Sequence, residues 1–299
     1  MSDLKGKTAF ITGASRGIGF AIAQALAAQG VNVAIAAKSV KPQAKLEGTI
    51  YSAVETIEAA GGKALAVQCD IRDEAQISAA VDKTVETFGG LDICVNNASA
   101  LSLSPLEATK AKRFDLMFEV NTRGTFLTTK ACAAHLRRSD NPHVVMLAPP
   151  LDMQPKWFSG HVAYSIAKYG MSLCVLGLAD ELRGDGIAVN AVWPRTTIAT
   201  AAVKNVLGGD AMMRMSRTPA IVGDAVRLLV SQPSHTFTGN FLIDDSFLAR
   251  VGGVTDFERY RVDATRPLAP DFFVPDADVP PDGVDVLPMD VIRKQFGLA

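Results

Sequence analysis

The sequence predicts an α/β protein built on one parallel sheet, with helices on both faces and an extended C-terminal arm. Short β-rich runs alternate with helical stretches, as in successive βαβ units. A glycine-rich tract at residues 12–19 follows the first β-rich run and precedes the first helical stretch. Beyond about Leu248, prolines and aspartates replace these regular patterns. We therefore expect one large domain over residues 1–248 and a Pro/Asp-rich extension over residues 249–299.

The order of the predicted elements specifies the kind of sheet. Seven strands are predicted, at Thr8–Thr12, Val31–Ala37, Ala64–Gln68, Asp92–Asn96, His143–Leu147, Ala188–Val192 and Phe241–Asp244. Six helices are predicted, at Gly17–Gln29, Tyr51–Ala60, Glu74–Phe88, Thr122–Leu136, Ala163–Arg183 and Asp224–Val230. This alternation is typical of a single Rossmann-type, doubly wound parallel sheet, whose ligands bind beyond the carboxyl ends of the strands. The turns after the first, second, fourth and fifth strands are thus the expected site.

Composition and charge argue against several classes of function. The chain of 299 residues is 48% hydrophobic with a net charge of −1, which gives no electrostatic reason to bind nucleic acid or an anionic membrane. It has no signal-peptide region at its start, and no uncharged apolar run reaches the ~18 residues of a membrane span. The four cysteines include no CxxC pair, so reduced thiols and a cytoplasmic location are expected. The four histidines lack metal-ligand spacing, so no metal site is expected.

The extension has few helical or strand signals. Its prolines alternate with aspartates up to Asp290, as in an extended arm. Two adjacent phenylalanines, Phe272 and Phe273, could anchor the arm on the body of the protein or on another subunit. The alternative is a partly disordered tail, and from the sequence both are equally compatible with this composition.

The glycine-rich tract has the features of a phosphate-binding turn. Gly13, Gly17 and Gly19 lie between a predicted strand and a predicted helix. Glycine permits the tight turn and lets backbone N–H groups approach a phosphate closely. The N-terminus of the following helix favours an anion. The sequence therefore predicts that this turn binds the pyrophosphate of a dinucleotide.

The end of the second strand indicates which dinucleotide is bound. An acidic residue there would hydrogen-bond the ribose 2′-hydroxyl of NAD(H). This chain has Lys38 instead, whose ammonium would attract a 2′-phosphate, and Arg16 in the glycine turn could share that charge. NADP(H) is therefore the predicted cofactor. The alternative is that Lys38 is an ordinary solvated lysine.

Tyr164 and Lys168 supply the predicted chemistry, because they lie one helical turn apart and share one face. Hydride transfer to a carbonyl leaves a developing alkoxide that needs a proton, and a phenol with a pKa of about 10 can donate one at neutral pH. In the reverse reaction the phenol must act as a base, and a nearby ammonium would lower its pKa. The alternative is that these are two unrelated residues on a surface helix.

Six motifs occur in the order and spacing that the short-chain dehydrogenase/reductase family shows, and the sequence resembles that family over roughly residues 5–247. They are the tract Thr12–Gly19, Asp70, the Asn-Asn-Ala-Ser segment at 96–99, Asn121 within 120–124, the pair Tyr164 and Lys168, and the Val-Asn-Ala-Val-Trp-Pro segment at 189–194. A Tyr-x-x-x-Lys pattern alone would occur by accident in many chains. Six ordered motifs make the resemblance specific.

The resemblance implies a role for each of these residues. Tyr164 is the expected proton donor or acceptor, Lys168 holds the nicotinamide ribose and lowers the tyrosine pKa, and Asn121 orders the helix and a water in the proton path. Asp70 is expected to contact the adenine, and residues 96–98 to line the adenosine side. The implied cofactor-binding residues are Gly13, Ala14, Ser15, Arg16, Gly17, Ile18, Gly19, Lys38, Asp70, Asn96, Ala98, Tyr164 and Lys168.

Other segments resemble one group within this family. They are residues 36–38, the insertion at 41–49, the Pro-Pro-Leu run at 149–151, the Trp-Pro pair at 193–194 and the Pro-Asp-Phe-Phe run at 270–273. Longer animal members of that group carry an added sterol-carrier domain. We expect none here, since the remaining chain is too short to hold one.

The serine that the family uses to hydrogen-bond the substrate oxygen has no counterpart. Residues 148–152, at the end of the fifth predicted strand, read Ala-Pro-Pro-Leu-Asp. Losing one such donor typically lowers kcat by about 10²–10³. Three accounts remain open: Tyr164 alone polarises a reactive carbonyl, a different donor such as protonated Asp152 or His161 replaces the serine, or the chain binds NADP(H) without meaningful turnover.

The function that these features predict is an NADP(H)-dependent oxidoreductase that interconverts a carbonyl and an alcohol. The alternative is a catalytically weak or inactive NADP(H)-binding sensor or interaction protein on the same scaffold. Apolar residues in the surrounding loops favour a lipophilic substrate, although core or interface packing explains each of them equally well: Leu101, Leu103, Met153, Trp157, Phe158, Trp193 and Leu207. Apolar faces on the fourth and fifth predicted helices fit the homodimer or homotetramer that the resemblance implies.

Overall fold

A computed structural model of the protein describes residues 2–43 and 46–297. In this part of the chain, strands β1 to β7 lie at Thr8–Thr12, Asn32–Ala37, Lys63–Gln68, Ile93–Asn96, His143–Met146, Ala188–Trp193 and Phe241–Ile243. Helices α1 to α10 lie at Gly17–Ala27, Ile50–Ala59, Glu74–Phe88, Ala111–Met117, Gly124–Leu136, Val162–Glu181, Gly209–Arg214, Ala220–Val230, Asp244–Arg250 and Met289–Phe296. All seven predicted strands are present, with ends that differ by no more than one residue.

The seven strands form one parallel sheet in the order β3-β2-β1-β4-β5-β6-β7. The strand order reverses between β1 and β4, and ligands of such sheets bind at this crossover, beyond the carboxyl ends of the strands. The glycine-rich turn follows β1 and residues 97–98 follow β4, so the fold brings both to the crossover. The predicted Rossmann-type, doubly wound sheet is therefore confirmed.

Alternate residues of the central strand β1 enter two separate cores. Ala9 and Ile11 lie in one core with residues of α1 and α8, whereas Phe10 lies in the other with residues of α3, α5 and α6. Every residue of β1 is buried, because helices cover both faces of the sheet. This layering leaves the carboxyl edge of the sheet as the place where loops from several strands meet.

The helix predicted at Thr122–Leu136 differs from the structure in its first turn. Its regular part is α5, which begins at Gly124, and the chain before it forms α4 and a π-helical turn at Phe118–Arg123. A π-turn holds more residues than a regular turn, so it shifts the apolar periodicity and conceals the helical stretch from pattern analysis. The short helices α7, α9 and α10 were not predicted, because six to eight residues give too little periodicity.

The C-terminal arm lies on the body of the protein. Phe272 and Phe273 are buried, and the arm residues 269–271 pair with the segment that follows β6. Of the two alternatives for the arm, the structure shows the anchored one. Helix α10 also departs from the expectation of an extended arm. It begins directly after Pro288, a residue type that is common at the start of helices, and it buries Ile292.

Helix α6 is the one helix of the described residues that is long and apolar enough to cross a membrane, judged by length and composition alone. Half of its apolar window is buried inside the protein, and the helix contacts both β5 and β6. Its apolar character is therefore that of a core helix packed on a sheet.

Candidate functional site

The glycine-rich turn leaves no room for side chains at its key positions. Gly13 and Gly17 have positive φ angles of 65° and 56°, which other residues rarely adopt. A Cβ atom on Gly13 would lie 2.8 Å from the Cα of Ala98, and one on Gly19 would lie 2.7 Å from the carbonyl oxygen of Gly13. Glycine is therefore required here by close approach between the turn after β1 and the loop after β4.

Two polar residues hold these loops together. The Thr12 hydroxyl accepts hydrogen bonds from the backbone N–H groups of Asn97 and Ala98, at 3.0 and 3.1 Å. The Asn97 side-chain amide donates to the carbonyls of Thr12 and Gly13, at 2.9 and 3.1 Å. Both residues lie in segments that the sequence assigns to the cofactor site, but their role in joining the two loops was not predicted, because it depends on contact between the ends of β1 and β4.

The start of α1 fits the phosphate of a dinucleotide. The helix begins at Gly17, and Arg16, at its N-cap, gives no side-chain hydrogen bond to the first turn. The N–H groups of that turn therefore lack a capping partner from this side chain, and the helix dipole adds partial positive charge. The structure brings the predicted residues 13–19 together in this one turn, and they fit a pyrophosphate group.

Arg16 is held in place by the insertion that follows β2. Its Nε donates to the carbonyl of Glu47 at 2.7 Å, and its Nη2 donates to that of Gly48 at 2.6 Å. Lys38 directly follows β2 and is exposed, so its ammonium is accessible to an anion, and its charge also contributes to lowering the pKa of Asp70. Residues 44 and 45 of the predicted insertion lie outside the described residues.

The other predicted adenosine contacts have partners of their own. Both carboxylate oxygens of Asp70 accept hydrogen bonds from Arg72, which holds the pKa of Asp70 below its usual value. The Asn96 side chain points into the protein, where its Nδ2 donates to Thr129 at 3.0 Å and its Oδ1 is buried without a partner among the described residues. The Asn96 carbonyl accepts from the Leu147 N–H at 3.0 Å, so the side-chain amide and the backbone carbonyl of Asn96 are both engaged within the protein.

Tyr164 and Lys168 lie side by side on α6, and both are buried. The Lys168 ammonium donates to the carbonyl of Leu147 at 2.7 Å and lies 5.2 Å from the centre of the Trp193 ring. Within the described part of the chain, the Tyr164 hydroxyl has no hydrogen-bond partner. One consequence is that the hydroxyl is available to a bound substrate.

The pKa values of this pair are governed by burial. Loss of contact with water lowers the pKa of Lys168 to about 7, although Asp271 opposes that shift. The pKa of Tyr164 is raised by burial and, to a lesser extent, by Asp271. From the sequence, the neighbouring ammonium is expected to lower the tyrosine pKa. In the structure desolvation dominates, because a phenolate in this apolar surrounding loses its hydration.

Asn121 is buried inside the π-helical turn. It exchanges two hydrogen bonds with the backbone of Ala100: its Oδ1 accepts from the N–H at 2.8 Å, and its Nδ2 donates to the carbonyl at 2.9 Å. Its side chain is thus occupied in tying the loop after β4 to the start of α5. π-Turns are frequent at functional sites, and this one packs directly on α6.

The segment without a serine is tied to α6 by its backbone carbonyls. Besides the Leu147 contact, Pro149 accepts from Ser172 at 2.7 Å and Asp152 accepts from the Tyr169 hydroxyl. The Asp152 carboxylate accepts from the Trp157 indole at 2.8 Å, so this candidate replacement for the serine already has a partner.

His161, the other candidate replacement, is also engaged. One ring nitrogen lies 3.0 Å from the Ser165 hydroxyl, and that hydroxyl itself donates to the carbonyl of Trp157 at 2.7 Å. Since the hydroxyl proton is used, Nδ1 must be the donor of the first bond, and Nε2 is left without a proton. Burial lowers the pKa of His161, so its Nε2 is an acceptor and cannot donate to a substrate carbonyl.

An aromatic cluster surrounds Tyr164, and part of it comes from the arm. Phe273 lies against the tyrosine ring, with centroids 6.1 Å apart, and Phe272 lies 5.0 Å from His161. The Trp193 indole donates to the carbonyl of Phe272 at 2.7 Å. The sequence indicates only an anchoring role for these arm residues, because no local pattern links them to a tyrosine more than a hundred positions earlier.

Residues 7–209 match the family model described as short chain dehydrogenase. Hydroxysteroid dehydrogenase-like protein 2 is 54% identical over 281 residues in Rattus norvegicus and 52% identical over 271 residues in Homo sapiens. These alignments cover 94% and 91% of this chain. They cover 52% and 64% of the relatives, so the chain spans about half to two thirds of their length.

Solved structures give the same result. A dehydrogenase from Xanthomonas campestris is 51% identical with a TM-score of 0.88, covering 92% of this chain and 100% of the other. A short-chain dehydrogenase from Mycobacterium thermoresistibile is 50% identical with a TM-score of 0.87, covering 94% and 99%. A metagenomic short-chain oxidoreductase in complex with NADP is 27% identical with a TM-score of 0.66, covering 81% and 98%. Sequence, fold and site geometry together show that this chain belongs to the short-chain dehydrogenase/reductase family of oxidoreductases.

Proposed function

We propose that the protein is an NADP(H)-dependent oxidoreductase that interconverts a carbonyl and an alcohol on a lipophilic substrate, with Tyr164 as the proton donor or acceptor. The observation that carries this proposal is the buried pair of Tyr164 and Lys168, placed at the carboxyl edge of the sheet near the glycine-rich turn. A nicotinamide bound there supplies or accepts the hydride.

Three residues of the chain have separate roles in the proposed reaction. The Tyr164 hydroxyl donates its proton to the oxygen of the carbonyl as negative charge develops. Burial raises the pKa of Tyr164 and so keeps the phenol protonated at neutral pH, which suits reduction. Lys168 would hold the nicotinamide ribose and, when protonated, would stabilise negative charge beside the phenol. Asn121 acts as a positioning residue, because its side chain fixes the loop after β4.

The preference for NADP(H) rests on the charges beside the turn. Lys38 is exposed at the end of β2 with no acidic residue at that position, and Arg16 is fixed nearby by the insertion. A 2′-phosphate would gain charge-assisted hydrogen bonds from either cation. A metagenomic relative was solved with NADP, which supports the same preference. The aromatic rings around Tyr164 support a lipophilic substrate.

We also propose the organisation that accompanies this activity. Residues 1–248 form the cofactor-binding domain and residues 249–299 an extension that completes the site. Exposed apolar side chains on α6 support a homodimer or homotetramer. The four cysteines are free, which suits the reducing environment of the cytoplasm.

A second candidate function is a catalytically weak or inactive NADP(H)-binding sensor or interaction protein. The observation that favours it is the segment 148–152, which offers no hydroxyl, together with the partners that already engage Asp152 and His161. With no second donor to the substrate oxygen, the rate falls by about 10²–10³ on the usual scale of such losses.

Deuterium transfer separates these two functions. NADPH deuterated at C4 is incubated with aldehydes, ketones, diketones and ketoacyl thioesters, and the alcohol products are analysed by mass spectrometry. The oxidoreductase transfers the label, and Tyr164→Phe loses most of that transfer while still binding NADPH. If the variant transfers label as fast as the wild type, Tyr164 is not the proton donor. If protein that binds NADPH labels no product, the sensor is the better description.

A further inference from the structure

The arm crosses the carboxyl edge of the sheet on hydrogen bonds to the segment that follows β6. The Thr197 N–H donates to the carbonyl of Ala269 at 3.0 Å, and the Asp271 N–H donates to the carbonyl of Arg195 at 2.8 Å. The Trp193 indole then donates to the carbonyl of Phe272. These bonds fix the backbone from Ala269 to Phe272, so the position of the next residue, Phe273, is set by the body of the protein.

Phe273 lies at the centre of the aromatic cluster around Tyr164. Its side chain is fully buried, and its ring centroid lies 5.5 to 6.1 Å from those of Trp157, His161, Tyr164, Tyr169 and Trp193. Separations in this range are those of attractive aromatic pairs. The ring therefore contacts residues from α6, from the loop before it and from the end of β6.

The backbone of Phe273 is strained. Its φ angle is +68°, and it is the one non-glycine residue with positive φ in the described part of the chain. A bulky residue in this region is unfavourable, and such strain persists where the surroundings hold the residue in place. A glycine or asparagine would adopt this backbone more easily but would not supply the ring.

We propose that Phe273 is a specificity-determining residue: its buried ring forms an apolar wall that fills the space beside the Tyr164 ring and so limits the length of the organic group that a substrate can carry when its oxygen meets Tyr164. This inference rests on the proposed function, since it assumes that substrates approach the tyrosine hydroxyl. That hydroxyl has no partner among the described residues, while the ring that bears it is covered by Phe273 at a tilt of 37°. Removing the Phe273 ring would therefore open apolar space directly beside the tyrosine that meets the substrate.

Tryptophan fluorescence can measure binding at this wall without turnover. The chain has two tryptophans, Trp157 and Trp193, and both contact Phe273. In the presence of NADP⁺, 2-alkanones of four to twelve carbons (roughly the length range of a deep apolar site) are titrated into wild type, Phe273→Ala and the milder Phe273→Leu. We expect the preferred chain length to increase in Phe273→Ala, with the affinity for the longest ketone relative to the shortest rising about tenfold. Phe273→Leu should show a smaller change of the same sign.

Phe257→Ala is the matched control. Phe257 is also a buried phenylalanine of the extension, but it packs on Tyr260 and Arg217 rather than on Tyr164. It tests whether loosening the extension alone changes the chain-length preference. Thermal melting of all variants confirms that each is folded at the temperature used.

Three results would contradict the proposal that Phe273 forms this wall. They are an unchanged preference in both Phe273 variants, the same shift in Phe257→Ala, and ketones that never alter the fluorescence of wild type. The experiments also distinguish the case in which Phe273 forms the wall but the protein does not reduce these ketones. In that case the fluorescence preference shifts as expected, while the deuterium experiment finds no labelled alcohol from any ketone of the series.

Discussion

Among individual residues, Lys38 is the one whose charge can be tested most directly. It is exposed at the end of β2 and leads to a quantitative prediction about cofactor choice. A hydrogen bond to a charged group contributes about 1.5–3 kcal/mol, so Lys38→Ala should weaken NADPH binding by roughly 10–100-fold. NADH, which lacks the 2′-phosphate, should bind the variant and the wild type equally. Isothermal titration with each cofactor measures both affinities.

A second lysine controls for general loss of positive charge. Lys63 begins β3, so it lies at the opposite edge of the sheet from the glycine-rich turn, and Lys63→Ala should leave the affinity for both cofactors unchanged. Equal loss of NADPH affinity in the two variants would mean that only the overall charge matters. An NADPH affinity that Lys38→Ala leaves untouched would remove the assigned role.

The residues of the site differ in how far a sequence can reveal them. Gly13 and Gly17 were predictable, because a positive φ angle beside a phosphate demands glycine wherever the turn occurs. Phe273 was not, because its role depends on contact with Tyr164 across more than a hundred positions. The direction of the pKa shift at Tyr164 was also missed, since desolvation depends on the complete set of surrounding side chains.

At the scale of elements, the same distinction holds. The strands were predictable because burial on both faces demands continuous apolar runs, and such runs are visible in the sequence. The π-helical turn at Phe118–Arg123 was not, because its irregularity is stabilised by packing on α6 and by the bonds of Asn121 to Ala100.

Helix α6 has an outward face that predicts self-association. Its inward residues include the Tyr164 and Lys168 pair, whereas Leu173 and Leu176 are 59% and 57% exposed. Two large exposed leucines one turn apart on a long helix are costly in water and typical of an interface between subunits. Leu176→Arg should therefore dissociate the dimer or tetramer that we propose for the wild type to monomer at micromolar concentration, as measured by light scattering after gel filtration.

The control for this face is an exposed leucine elsewhere. Leu106 is 84% exposed in a short 3₁₀ turn, and Leu106→Arg should leave the oligomer intact. A wild-type protein that is already monomeric at this concentration would contradict the interface. A Leu176→Arg oligomer of unchanged size would assign the contact to another surface.

At the scale of the whole molecule, buried charge joins the arm to the body. Arg195 follows β6 and binds Asp245 in the body at 2.8 Å and Asp278 in the arm at 2.5 Å. Arg217 binds the other oxygen of Asp245 at 2.8 Å. Removing one member of such a buried group leaves its partners unpaired and is strongly destabilising, so this network holds the arm in the position in which Phe273 meets Tyr164.

The arm also makes stability depend on pH through Asp271. Burial raises the pKa of Asp271 from 3.8 to about 7 in the folded protein. Between these two values the folded state holds a proton that the unfolded state has lost, so this group contributes stability that is complete below pH 3.8 and is lost as the pH rises through about 7.

Asp271→Asn removes the titration while retaining an oxygen that can accept from the Phe272 N–H. Relative to wild type, its melting temperature should therefore rise between pH 4 and pH 7, by roughly 10 °C in all, and then level off, because the wild type loses about 1.4 kcal/mol per pH unit in this range and roughly 1 kcal/mol corresponds to 2–4 °C in a protein of this size. Asp276→Asn, on an exposed carboxylate of the same arm, should give a difference from wild type that varies little with pH. A melting difference for Asp271→Asn that is flat across this range would show that the carboxyl is not desolvated in the folded protein, and that the arm lies less closely on Lys168 and Tyr164 than its hydrogen bonds indicate.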